Sequence, residues 1–193
     1  VHVFISAEFG EQASCLEGKG LLEENETILN EIISFLHSKQ TLEGKTVLIT
    51  AGPTYEALDP VRFIGNHSSG KMGFSLAEEA AKRGAKVILI SGPTTQKVQD
   101  EKIELHNVIS AKEMFAKVFE FYDTVDIAIA SAAVADYAPK EIAPEKIKKS
   151  EDSMTLELVK NPDILKTMGE KKRQQFLVGF ALETNNEEEN AKQ

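Results

Sequence analysis

Several features that direct the interpretation of a sequence are scarce or missing here. The 193 residues include no tryptophan and a single cysteine, Cys15. One cysteine cannot form an internal disulfide, so a disulfide-stapled scaffold is excluded and the cytoplasm is the favoured compartment. No apolar run approaches the roughly 20 residues that span a bilayer, which predicts no membrane-spanning segment. The four histidines are scattered, and the sequence has no zinc-ligand spacing, nucleophile elbow or Cys–His pair.

Basic residues are also fewer than acidic residues. Lysine and arginine total 22 against 31 aspartates and glutamates, a formal net charge of −9. This balance argues against a general polyanion binder, so we expect no nucleic-acid partner. A phosphate site must then come from a local arrangement of backbone N–H groups and a few cations. Hydrophobic residues at 41 % and charged residues at 27 % are typical of a globular protein with room for one main domain.

The first 40 residues differ in pattern from the rest. Val1–Ile5 predicts a short strand, and apolar residues at helical spacing predict a helix over Glu24–His37. A polar stretch from Ser38 to Lys45 follows. We therefore predict a boundary that separates residues 1–40, too few for an independent core, from a main domain over residues 41–193. The chain starts without a Met and stops at Gln193 inside a polar run, so both ends are expected to be cut from a longer protein.

Beyond the boundary, apolar strands alternate with helical patterns. Strands are predicted at Thr46–Thr50, Lys86–Ser91, Ile127–Ala130, Met154–Val159 and Phe176–Phe180, and helices at Gly70–Arg83, Ala111–Tyr122 and near Pro162–Lys171. The alternation predicts an α/β fold, a Rossmann-like doubly wound and mainly parallel sheet with helices on both faces. Ligands bind beyond the carboxyl ends of such strands, which singles out residues 51–69, 131–149 and 181 onward.

Asn66-His67-Ser68-Ser69-Gly70-Lys71-Met72-Gly73 is the most informative segment. Small and hydroxylated residues precede a predicted helix start, with Ser68 or Ser69 as its cap, and such a start favours an anion. An ordinary capped helix with close glycine packing is the alternative. Residues 65–71 also fit the start of a P-loop, G-x-x-x-x-G-K. That interpretation fails, because Met72 stands where a Mg²⁺-binding hydroxyl belongs and the preceding strand ends at Thr50.

Later segments carry groups suited to a nucleotide. Ala130-Ser131-Ala132 ends a strand with small residues that leave the backbone open to a base or sugar, and Asp136 offers a carboxylate acceptor. A small-residue turn with Asp136 as a helix cap is the alternative. The lysines of residues 144–149 form either a solvated face or a mobile cation over a triphosphate. Residues 161–163 predict a turn into a helix, and residues 179–186 end an apolar strand with polar groups.

In chain order these segments resemble one family. The sequence is similar to the synthetase half of the bacterial coenzyme A flavoproteins, in which a phosphopantothenoylcysteine decarboxylase is fused to a phosphopantothenate–cysteine ligase. The resemblance covers essentially everything after Lys45. It rests on residues 49–54 (ITAGPT), 59–62 (DPVR), 66–73 (NHSSGKMG), 132–137 (AAVADY), 144–149 (PEKIKK), 160–164 (KNPDI) and 179–186 (GFALETNN).

The resemblance implies a ligase that works in two steps. The carboxylate of 4′-phosphopantothenate attacks the α-phosphate of CTP with help from Mg²⁺, giving an acyl-cytidylate and pyrophosphate. The amine of cysteine then attacks the activated carbonyl, CMP leaves, and 4′-phosphopantothenoylcysteine forms. Bacterial members favour CTP whereas related eukaryotic enzymes use ATP, so the choice of nucleotide stays open, as do the metal ligands.

The family's site residues carry over position by position. By resemblance, Lys146 stabilises the triphosphate, Asn66 holds and polarises the acyl-cytidylate, and Arg62 meets the substrate or its phosphate. Further nucleotide contacts implied by the resemblance are Gly52, Ser68, Ser69, Gly70, Lys71, Gly73, Ala130, Ser131, Ala132, Asp136, Asn161, Pro162, Asp163, Ile164 and Phe180.

Residues 1–40 resemble the C-terminal remnant of the fused decarboxylase plus a linker. The family has Ala-Cys-Gly before Gly-x-Gly-Arg-Met, whereas this chain has Ala13-Ser14-Cys15 before Gly18-Lys19-Gly20-Leu21-Leu22. Ser14 therefore takes the position of the catalytic Cys. The FMN-binding body of the decarboxylase also lies outside this sequence, so decarboxylation by this chain is not expected. The family continues past Gln193 with a lysine-rich segment and with strands that help form a homodimer, so this chain on its own is expected to be inactive or impaired.

Two competing functions remain. A Rossmann-like domain that binds a nucleotide without catalysis, left from a degenerate fusion, is favoured by the altered Ser14-Cys15 region. Intact Asn66 and Lys146 argue against it. A nicotinamide-dependent reductase is disfavoured because the fingerprint G-x-G-x-x-G does not follow the first strand of the main domain.

Overall fold

The structure is a computed structural model that describes residues 8–11, 17–21, 26–30, 33, 40–148 and 153–180. The chain divides into two compact units, Val1–Glu43 and Gly44–Gln193. In the first unit, β1 (Glu8–Glu11) pairs with β2 (Glu17–Leu21) in an antiparallel ribbon. Residues 26–30 and 33 are helical, as predicted. The predicted strand Val1–Ile5 and the other residues of the predicted helix lie outside the described residues.

The second unit contains the predicted alternation of strands and helices. Its strands are β3 (Thr46–Ala51), β4 (Tyr55–Ala57), β5 (Phe63–Gly65), β6 (Lys86–Ser91), β7 (Ile103–Asn107), β8 (Ile127–Ala130), β9 (Tyr137–Pro139), β10 (Leu158–Lys160) and β11 (Phe176–Gly179). Its helices are α1 (Lys71–Lys82), α2 (Ala111–Phe121), continued by a 3₁₀ turn at Tyr122–Thr124, and α3 (Ile164–Lys171). Within the described ranges, no helix has the length and apolar character needed to cross a membrane.

Five strands form a parallel central sheet in the order β11-β8-β3-β6-β7. The chain starts in the middle at β3, moves outward through β6 to β7, and then crosses to the other side of β3 for β8 and β11. This is the doubly wound order, so the predicted Rossmann-like fold is confirmed. The direction of winding reverses between β3 and β8, where Val47 pairs with Ile127 and Thr50 with Ala130.

Both faces of this sheet are buried at its central strands β3 and β6. Leu48, Ile88 and Ile90 belong to a core cluster with residues of α2 and α3, among them Met114 and Met168. Because side chains alternate along a strand, Val47, Ile49, Val87 and Leu89 point to the opposite face, and each is at most 1 % exposed. Helix α1 lies against β3 and β6 with Phe74, Ala77, Ala80 and Ala81 buried. Burial on both faces explains why the central strands are apolar throughout.

The strand predictions were incomplete, and one of them was wrong. β7 was missed because it is an edge strand in which only Ile103 is fully buried, so it lacks a continuous apolar run. The predicted strand Met154–Val159 is wrong in its bounds and its place. Only Leu158–Lys160 is a strand, and it pairs antiparallel with β9 outside the central sheet. All three residues of β10 are exposed, so the apolar pattern there did not signal a core strand.

The start of α1 also differs from the prediction. Neither Ser68 nor Ser69 is its N-cap. The cap is Gly70, with φ 73° and no side-chain hydrogen bond to the helix start. The serine hydroxyls instead accept from amides two residues on, Ser68 from Gly70 N (3.3 Å) and Ser69 from Lys71 N (3.4 Å). The helix ends at Lys82, one residue before the predicted Arg83. Gly84, just beyond it, has φ 94° and donates from its N–H to the Ala81 carbonyl.

Gly73 brings α1 against β3, and Gly73→Ala is expected to destabilise the fold by about 1–3 kcal/mol. A Cβ at this position would stand 2.5 Å from the Ala51 Cβ and 2.8 Å from the Ser131 Oγ. Gly169, inside α3, is the matched control because a Cβ there meets nothing within 4 Å. Gly169→Ala should be neutral or stabilising by up to about 1 kcal/mol. Urea unfolding measures both, and equal shifts in the same direction would contradict the packing argument.

Candidate functional site

A cavity of about 200 Å³ opens at the carboxyl ends of β3 and β8, where the winding of the sheet reverses. This is the place at which ligands bind in doubly wound sheets. Its wall is formed by the ends of two strands, the loop after β8, the turn before α3 and the residue after β11. The lining residues are Thr50, Ala130, Ala132, Val134, Ala135, Asp136, Lys160, Asn161, Pro162, Asp163, Ile164, Leu165 and Phe180.

Half of the nucleotide contacts predicted from the sequence meet in this cavity. They are Ala130, Ala132, Asp136, Asn161, Pro162, Asp163, Ile164 and Phe180. The others lie outside its lining: Gly52, Ser68, Ser69, Gly70, Lys71, Gly73, Ser131 and Lys146. Sequence reasoning missed Thr50, Val134, Ala135, Lys160 and Leu165. Lys160 opens the motif of residues 160–164, so its position next to the predicted turn was the available signal.

Two buried threonines shape the loop that follows β8. Thr50 Oγ1 accepts from Ala132 N (3.3 Å), and Thr54 Oγ1 accepts from Ala135 N (2.9 Å). Both threonines are at most 2 % exposed. Backbone bonds add to the attachment, because Ala133 N donates to the Gly52 carbonyl at 2.8 Å. The loop that leads to Asp136 is thus held on β3 and on the segment after it.

Thr54→Val is expected to destabilise the protein by about 1–3 kcal/mol, because valine keeps the shape but leaves the buried Ala135 N–H without its acceptor. Thr124→Val is the control, since its exposed hydroxyl donates to a nearby carbonyl at the surface. That change should stay within about 0.5 kcal/mol. Thermal and urea unfolding measure both variants, and a Thr54→Val midpoint no lower than that of Thr124→Val would refute the role of Thr54.

The opposite wall is the turn before α3. Asn161 donates from its backbone N–H to the Asp136 carbonyl and from Nδ2 to the Ala135 carbonyl, each at 2.8 Å. Asp163 is the N-cap of α3, accepting from Lys166 N at 2.9 Å. The positive end of this helix dipole therefore faces the cavity. Asn161 joins the two walls through side-chain and backbone bonds.

The glycine-rich start of α1 packs on the end of β3. Gly52 and Gly70 both have φ 73°, a conformation that residues with a Cβ rarely adopt. A Cβ on Gly70 would stand 3.2 Å from the Thr94 Oγ1 and 3.4 Å from the Gly52 Cα. The two glycines therefore allow a close approach of two backbones beyond the carboxyl end of β3. This arrangement fits both interpretations of the segment, glycine packing and an anion site.

Asn66 connects this segment to the cavity. Its Nδ2 donates to the Val134 carbonyl at 2.9 Å and to the Ala133 carbonyl at 3.4 Å. Both partners are acceptors, which fixes the amide nitrogen on the side of the loop. Val134 lines the cavity, so the predicted catalytic Asn66 contacts a lining residue without itself belonging to the lining.

Arg62 lies in an ion pair with the buried carboxylate of Asp59. Its Nε and Nη2 donate to Asp59 Oδ2 at 2.9 and 2.5 Å, and Nη2 also donates to the Ile147 carbonyl at 2.7 Å. Burial alone would raise the pKa of Asp59. Hydrogen bonds from the Arg62 side chain and from the backbone N–H groups of Val61, Ile147 and Arg62 outweigh it and hold that pKa well below its ordinary value. Arg62 thus contacts the residue that follows Lys146.

The cavity contains carboxylates of the kind that can bind a metal ion. Asp136 and Asp163 line the cavity, and Asp163 already caps α3. Among the described residues, no group of three His, Cys, Asp or Glu side chains is placed to hold a metal ion. Mg²⁺ is commonly bound by one or two carboxylates together with substrate phosphates. Asp136 is the carboxylate available for that arrangement.

A model of the family described as "DNA/pantothenate metabolism flavoprotein C-terminal domain" matches residues 42–193. This chain belongs to that family. The resemblance found in the sequence motifs is thereby confirmed, and the family match covers the β3–β11 unit that contains the cavity.

Relatives with assigned names support the same assignment. "Coenzyme A biosynthesis bifunctional protein CoaBC" from Haemophilus influenzae is 50 % identical over 189 residues, 97 % of this chain and 47 % of that protein. "Cysteine/Cysteine sulfinic acid decarboxylase" from an unknown prokaryotic organism is 46 % identical over 187 residues, 94 % of this chain and 52 % of that protein. The chain therefore spans about half the length of these relatives.

A solved structure has the same fold. The crystal structure of the C-terminal domain of Coenzyme A biosynthesis bifunctional protein CoaBC is 48 % identical, with a TM-score of 0.70. The match covers 79 % of this chain and 72 % of that one. Membership of the flavoprotein C-terminal domain family and the Rossmann-like architecture thus agree.

Proposed function

We propose that this chain carries the phosphopantothenate–cysteine ligase activity of a protein of coenzyme A biosynthesis. Residues 41–193 supply the ligase domain, and residues 1–40 are a decarboxylase remnant and linker. The observation that carries the proposal is the cavity at the switch point, where eight residues that the family resemblance assigns to the nucleotide come together. The high identity to CoaBC proteins over nearly the whole chain supports it.

In the proposed reaction, the carboxylate of 4′-phosphopantothenate attacks the α-phosphate of CTP and pyrophosphate leaves. The amine of cysteine then attacks the acyl carbonyl, loses a proton and expels CMP. The cavity would hold the nucleotide, with Asn161 and the start of α3 on one side and Ala132 and Asp136 on the other. Lys146 would neutralise charge on the phosphates, and Mg²⁺ would supply further positive charge there.

The roles of Asn66 and Arg62 follow from their neighbours. Asn66 contacts the lining residue Val134, where it would hold the acyl-cytidylate. Arg62 is 42 % exposed at its side chain, so it can meet an anionic substrate while it remains paired with Asp59. We further propose that the full-length protein acts in the cytoplasm and forms a homodimer.

Pyrophosphate release by the full-length protein tests the proposal. CTP or ATP is supplied with 4′-phosphopantothenate, first without and then with cysteine. Release that requires 4′-phosphopantothenate, followed by cysteine-dependent formation of 4′-phosphopantothenoylcysteine, is the expected result. Binding of nucleotide without turnover would favour the alternative, a non-catalytic Rossmann-like nucleotide-binding domain.

A further inference from the structure

The turn of residues 59–62, before β5, contacts the segment of residues 143–148, which carries Lys146. The buried carboxylate of Asp59 makes this contact. Asp59 Oδ1 accepts from Val61 N (2.8 Å) and Arg62 N (2.9 Å), which closes the turn. Asp59 Oδ2 accepts from the Arg62 side chain and from Ile147 N at 3.1 Å. The Asp59 side chain is fully buried, so these hydrogen bonds take the place of those that water would make to an exposed carboxylate.

The peptide groups at Ile147 are held on both sides. The Ile147 N–H donates to Asp59, and the Ile147 carbonyl accepts from Arg62 Nη2 at 2.7 Å. A second attachment lies four residues earlier, where Ala143 N donates to the Leu58 carbonyl at 3.0 Å. The segment that carries Lys146 is therefore fastened to one turn at two points.

We propose that Asp59 is a positioning residue for Lys146, acting through the Ile147 N–H and through Arg62. The inference rests on the proposed ligase function. Lys146 is exposed and its side chain is long and flexible. If its ammonium group is to reach a triphosphate reproducibly, the backbone that carries it must be held in place. The Asp59–Arg62 pair supplies that restraint, because it holds the peptide bond that directly follows Lys146.

Asp59→Asn is designed to weaken the contacts of Asp59 with Arg62 and Ile147. The side chain keeps its size, but an amide cannot accept from every donor that now surrounds the carboxylate, and it loses the charge that attracts Arg62. Asp126→Asn is the matched control. Asp126 also accepts from a lysine, Lys45, and from a backbone N–H, that of Thr46, and these two bonds lower its pKa. It stands at the amino end of the sheet, away from the cavity.

Limited trypsin digestion of the full-length protein measures how accessible the segment of residues 143–148 is, independently of enzyme activity. In Asp59→Asn, cleavage after Lys146 and Lys148 should accelerate about tenfold, because a hydrogen-bonded segment resists the protease until it opens. Asp126→Asn should be cleaved there at the wild-type rate. Equal cleavage in both variants would overturn the inference. If Asp59→Asn does not fold, Ile147→Pro removes the donor to Asp59 and should produce the same accelerated cleavage after Lys148. The bond after Lys146 is not read in that variant, because trypsin does not cut a Lys–Pro bond.

A double-mutant cycle on pyrophosphate release tests the effect on Lys146 itself. Asp59→Asn alone should lower kcat about tenfold, but less than about twofold when Lys146 is already glutamine. Losses that multiply in the double variant would mean that Asp59 acts independently of Lys146, and the inference would be wrong. A wild-type protein that releases no pyrophosphate would instead refute the proposed function, while the trypsin result would still decide whether Asp59 holds the segment.

Discussion

Lys146→Gln in the full-length protein is expected to lower the rate of pyrophosphate release about a hundredfold, or about 3 kcal/mol in activation free energy. Glutamine is one atom shorter than lysine, still polar, and uncharged, so the negative charge that grows at the phosphates is left uncompensated. The loss should fall on kcat, because the proposed role of Lys146 lies in the transition state of activation.

Lys140→Gln is the control for that variant. Lys140 lies earlier in the same segment, and its Nζ is paired with Glu157 Oε1 at 2.8 Å. Removing this exposed charge should leave the rate within about twofold of wild type. A Lys146→Gln enzyme with an unchanged kcat and a raised KM would show that Lys146 only binds the ground state, contrary to the prediction.

Asn66→Asp is expected to accumulate the acyl-cytidylate and to pass it to cysteine at least about a hundredfold more slowly. A carboxylate cannot donate to the acyl carbonyl, and its charge repels the phosphate of the intermediate. Rapid quenching followed by mass spectrometry detects the intermediate. Pyrophosphate should appear in an initial burst of nearly one equivalent per active site, followed by a slow cysteine-dependent phase.

The structure adds a second effect that the Asn66 experiment must separate. The Asn66 amide nitrogen faces the carbonyl oxygens of Val134 and Ala133, so an aspartate would place oxygen against oxygen beside the cavity lining. The KM for CTP should therefore also rise. Asn66→Ala removes the donor without that repulsion, and it should accumulate the intermediate with a smaller rise in KM. Equal loss of pyrophosphate release in the Asn66 and Lys146 variants, with no intermediate, would refute the division of labour between the two residues.

The predicted strands succeeded or failed according to how each strand is buried. β3 and β6 are buried on both faces, and their residues form apolar runs that were visible in the sequence. β8 is also apolar throughout, although only Ala128 of its four residues is buried. β7 is at the edge, and the ribbons β4–β5 and β9–β10 have strands of three residues. Such short or half-exposed strands have too few residues for a periodicity. β4, β5, β7 and β9 were missed, and β10 was only partly covered by the predicted strand Met154–Val159.

The cap of α1 shows the limit of local sequence rules. Ser68 and Ser69 are favoured N-cap residues, yet the helix begins after Gly70. The close approach of Gly70 to Gly52, which directly follows β3, requires a residue without a Cβ at a positive φ and so places the cap at Gly70. That approach depends on where the helix packs, and the positions of Ser68 and Ser69 in the sequence carry no information about this.

By itself, the sequence determined the apolar strands, the alternation of elements and the motifs that assign the chain to its family, because each depends on residues close together in the chain. Tertiary structure alone decided which motifs meet. Asn66 reaches Val134 across 68 residues, and Asp59 reaches Ile147 across 88. These contacts exist because β8 enters the sheet beside β3 and brings its following loop to the same edge. Strand order and register set that meeting, and no local pattern encodes them.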